Sequence, residues 1–67
     1  MGNFRFHLIG NHQPVELETA ANTMSHLGEM LTRQRFIEGR MIQSDSDGVL
    51  LSMLIATSRI QCVFEAD

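Results

Sequence analysis

The chain has 67 residues, 43% of them hydrophobic, and eight carboxylates against five cations give it a net charge of −3. A chain this short buries only about 60% of the surface it exposes when unfolded, so its folding balance lies near zero before a disulfide, a metal or a partner is added. The single cysteine, Cys62, excludes a disulfide within one chain, the acidic balance disfavours binding through a phosphate backbone, and no run approaches the roughly 20 apolar residues of a membrane-spanning helix.

A lone cysteine fits a reducing compartment, and the opening MGNFRFHLIG has neither the long apolar region of a secretory signal nor a Ser or Thr at position six for myristoylation. A cytoplasmic setting is the expectation. All five cations are Arg, the side chain better suited than Lys to bidentate pairing with carboxylates.

In chain order, Phe4, Phe6 and Leu8 alternate with Arg5 and His7, the period of a half-buried strand. Gly10 to Pro14 supplies turn residues, and Val15-Glu16-Leu17-Glu18 alternates again, so residues 4–18 read as an N-terminal hairpin. The period then changes. Ala20, Met24, Leu27 and Leu31 form one stripe, widened by Met30, which predicts a helix over about 19–34 with Thr19 or Asn22 as its N-cap. Gly28 sits beside that stripe. It either admits the close approach of another backbone or is merely tolerated, at about 1 kcal/mol relative to Ala.

Residues 35–43 could extend the helix or form a strand, and a strand over about 36–43 is favoured because Phe36 and Ile37 lead on to the turn Ser44-Asp45-Ser46-Asp47-Gly48. Asp-Gly is a hairpin signal. That segment lacks an EF-hand pattern, since the twelfth position counted from Asp45 falls on Ala56 where a Glu is required. Val49 to Ala56 follows, apolar at both odd and even positions apart from Ser52. As a strand over 49–56 it would be covered on both faces. One short helix covers only one face of a small sheet, so the other face must meet the N-terminal hairpin or a second copy of the chain. Thr57-Ser58-Arg59 makes a corner. Over residues 60–65, Ile60, Cys62 and Phe64 alternate with Gln61, Val63 and Glu65, a last strand expected to pair antiparallel with its predecessor and to point Cys62 into the core. The fold class is α+β, a single small domain with an antiparallel sheet and one helix in the order β-β-α-β-β-β.

No constellation carries catalytic chemistry. His7, His12 and His26 have no paired spacing with each other or with Cys62, so neither a metal site nor a cofactor is expected. Glu16, Glu18, Glu29 and Glu38 show no clustering that would make an acid–base pair. Arg35, Arg40 and Arg59 are the candidate contacts to nucleic acid. The apolar strand, the corner Ala56-Thr57-Ser58-Arg59 and the strand Ile60-Gln61-Cys62-Val63 resemble the last two strands of Sm-like RNA-binding proteins. The likeness covers about a quarter of the chain and implies ring assembly and RNA contact near Arg59. The family's internal Asp and Asn motifs are missing, and here a hairpin precedes the helix. The expectation that follows best from the residues is a non-enzymatic domain that self-associates, a homo-oligomer acting as an interaction or assembly module. The alternatives are a nucleic-acid-binding oligomer and an enzyme whose site forms between subunits around the histidines.

Overall fold

The structure, a computed structural model, describes residues 1–42 and 51–66. It contains β1 (Gly2–Leu8), β2 (Val15–Thr19), α1 (Met24–Arg33), β3 (Phe36–Met41), β4 (Ser52–Ala56), a 3₁₀ turn (Thr57–Arg59) and β5 (Ile60–Glu65). The class and the order of elements are those read from the sequence. The Asp-Gly turn at 44–48 and the start of the apolar run, Val49 and Leu50, lie outside the described residues.

All five strands join one antiparallel sheet in the order β4-β3-β2-β1-β5. The expected pairing of β5 with β4 is therefore not found: β5 pairs with β1, and β4 with β3. In a flat sheet the two edge strands would lie about 19 Å apart. Only the three-residue turn separates them, and a 3₁₀ turn rises about 2 Å per residue. The sheet must therefore roll up until its edges approach. The turn is bonded to both sides of the roll. Its first residue, Thr57, donates its N–H to the Arg35 carbonyl, and the carbonyl of its last residue, Arg59, accepts from the Ile9 N–H, each at 2.8 Å.

Rolling gives the sheet an inside and an outside. Phe4 and Phe6 of β1, Leu17 of β2, Ile37 of β3 and Ile55 of β4 point inward and are buried. The inner face is closed by α1, which lays Leu27 into this core with Met30 and Leu31 packed against it. Ala21, in the turn before the helix, is also fully buried. Gly39 lies tight against β2: a Cβ there would stand 2.8 Å from the Leu17 Cβ.

The helix is shorter than its apolar stripe suggests, because two threonines divide the work. Thr19 stays in the ladder opposite Gly2, and its buried hydroxyl accepts from the Ala21 N–H, turning the chain. Thr23 is the N-cap, extended at φ −132° and ψ 163°, with its hydroxyl accepting from the His26 N–H. Nothing lies within 4 Å of the position a Cβ on Gly28 would take, so no other backbone of the same chain approaches it closely among the described residues.

Candidate functional site

The outer surface of the sheet is where the polar and the unexplained apolar side chains meet. On β1 and β2 it is polar: Arg5 sits opposite Glu16 and donates to its Oε2 at 3.0 Å. Glu18 stands between Asn3 on β1 and Arg40 on β3. Toward the two edges the surface turns apolar. Phe36 of β3 is 52% exposed, Leu54 of β4 63% and Phe64 of β5 51%.

Cys62 does not point into the core; it is exposed. The cause is a register shift in β5. His7 pairs with Cys62 but Leu8 pairs with Ile60, so Gln61 is an extra residue, a bulge. The bulge breaks the alternation. Ile60 and Val63 reach the core, while Cys62 and Phe64 face out beside His7. The His7 and Phe64 rings pack edge to face, centroids 5.3 Å apart at 78°.

The two sheet edges differ. Met41 donates its N–H to the Leu51 carbonyl, and Thr57 donates to Arg35. Both pairs continue the β3–β4 register in which Gly39 faces Met53 and Ile37 faces Ile55. In an antiparallel ladder bonded and non-bonded pairs alternate. Odd residues of β4 thus bond to β3, and the N–H and C=O groups of Ser52, Leu54 and Ala56 point to the free edge. Among the described residues, no charge, proline or bulge on β4 interrupts that edge. On β5 the Ala66 N–H donates to Asn3, so the same phase leaves Val63 and Glu65 facing the free edge. There the bulge at Gln61 and the carboxylate of Glu65 interrupt it.

The three candidate arginines do not converge. Arg35 lies beside the 3₁₀ corner, since Thr57 donates its hydroxyl to the carbonyls of Gln34 and Arg35 at 2.9 and 3.1 Å. Arg59 ends that corner, next to a shallow hollow lined by Leu8, Ile9, Gly10 and Asn11. Arg40 is near the other end of β3, about 16 Å along the strand from Arg35, and faces Glu18. The histidines are also dispersed: His7 on β1, His12 in the β1–β2 loop, His26 in the first turn of α1. Among the described residues no three His, Cys, Asp or Glu side chains gather as metal ligands, and no helix is long and apolar enough to cross a membrane. No family model, curated protein or solved structure matches the chain.

Proposed function

We propose that this chain is a non-enzymatic, self-associating domain that acts as an interaction or assembly module. The observation that carries the reading is the pair of large apolar side chains left in the open on the β3–β4 side of the sheet: Phe36 and Leu54, each more than half exposed. They belong neither to the core cluster nor to the side chains packed against it, and their exposure costs hydration free energy that a partner surface would recover. A second copy supplies such a surface at no cost in additional sequence.

Sedimentation equilibrium at micromolar concentration tests the reading. A mass of twice the 7.6 kDa chain or more is the expected result, and a monomer mass would reject it. The nucleic-acid alternative draws on Arg35 and Arg59 flanking one corner. It predicts salt-sensitive binding of single-stranded RNA that Arg59→Ala abolishes. The net charge of −3 weighs against it, because counterion release needs a basic face.

A further inference from the structure

We infer that two copies of the chain join edge to edge through β4, antiparallel, about a two-fold axis at Leu54. The inference rests on the self-association reading and specifies which edge carries it. The backbone sets the phase. Ser52, Leu54 and Ala56 direct their N–H and C=O groups to the free edge, and the antiparallel register that pairs all three of them with the partner's three puts Leu54 opposite its twin and Ser52 opposite Ala56. Directly opposite residues of an antiparallel pair point to the same face. The outer face of one copy then runs on into the outer face of the other, and the inward Met53 and Ile55 stay on the inner side. Pairing β4 antiparallel with β5 does not achieve this. It would set Leu54, an outer residue, opposite Val63, which packs toward the core.

Charge selects the same edge. A strand paired with itself about a two-fold axis brings a charge near the axis close to its copy, and like charges there repel. The strand SMLIA carries no charge, whereas β5 ends in Glu65 and is bent by its bulge. Bulges and charges are the devices that keep an edge from pairing; β5 has both and β4 neither. Small side chains at 52 and 56 also leave room for the two leucines. A two-fold contact is self-complementary and closes at two copies.

Three chains compared by sedimentation equilibrium, with far-UV circular dichroism to verify the fold, test this: the natural chain, Leu54→Lys and Phe64→Lys. The expected result is a dimer for the natural chain and for Phe64→Lys, and at least a tenfold weaker dimer for Leu54→Lys. The side chain of Leu54 lies outside the core, so its replacement spares the inner packing. A second measurement does not depend on a disruptive change. Leu54→Cys combined with Cys62→Ser should form a covalent dimer on mild oxidation, because bonded pairs hold their Cα atoms about 5.5 Å apart, within disulfide reach. Retention of the dimer in Leu54→Lys, its loss in Phe64→Lys, or failure of the Leu54→Cys chain to cross-link would overturn the β4 interface. A monomeric natural chain would overturn self-association as a whole, so the two failures are distinct.

Discussion

At the scale of single residues, two glycines of the same composition have opposite worth. A Cβ on Gly28 would meet nothing within 4 Å, while one on Gly39 would stand 2.8 Å from the Leu17 Cβ and 3.2 Å from the Glu18 carbonyl. Gly28→Ala should stabilise the chain by about 0.5–1 kcal/mol, the difference in helix propensity. Gly39→Ala should destabilise it by about 1–3 kcal/mol, the usual cost of overpacking. Urea unfolding of both variants beside the natural chain measures the two signs. Cys62 gives a second residue-scale prediction. With its thiol exposed on the outer face, the folded chain should react with Ellman's reagent at a rate close to that of the unfolded chain. Protection by a hundredfold or more would place the thiol inside, as strict alternation over 60–65 implies.

At the scale of elements, local signals decided most of what could be read. Period-two runs located β1 and β2, and the stripe at Leu27, Met30 and Leu31 located α1. The start of the helix was not legible from the stripe, because Ala20 and Ala21 suit a helix as well as a turn. What ends the strand is the hydrogen bond from Ala21 N–H to the Thr19 hydroxyl, and Thr and Ser make this kind of local bond wherever the chain allows. Thr23→Ala should therefore cost about 1 kcal/mol through loss of the cap. Asn22→Ala should cost nothing by that mechanism, and a comparison of the two by thermal unfolding assigns the cap. The pairing of β5 was equally hidden. A three-residue connection suggests neighbouring strands, yet Thr57–Arg59 joins the two edges because long-range pairing of β1 with β5 rolls the sheet. The bulge at Gln61 follows from that pairing. No residue in IQCVFE announces it, so the sidedness of Cys62 and Phe64 could not be read from the strand alone. The apolar character of Leu54 was legible; that it lies outside the roll, at an unprotected edge, needed the sheet order.

At the scale of the whole molecule, a chain of 67 residues has little stability to spare, and self-association would add to it by mass action. If the folded state is a dimer and the unfolded state is not, raising the total concentration tenfold favours folding by about 1.4 kcal/mol per dimer, or about 0.7 kcal/mol per chain. For a domain of this size 1 kcal/mol moves the midpoint of thermal unfolding by about 4–8 °C. The midpoint should then rise by about 3–6 °C for each tenfold increase in concentration. A monomer gives no such rise. The slope is also sensitive to the interface and not to the core: Leu54→Lys should flatten it while leaving the midpoint at low concentration nearly unchanged. A core change such as Ile55→Val, at a buried neighbour on the same strand, should lower the midpoint at every concentration and keep the slope. Scanning calorimetry of the three chains over two decades of concentration separates burial inside the roll from burial between copies. A flat line for the natural chain would mean that the roll and its helix hold the fold alone and that Leu54 stays in water.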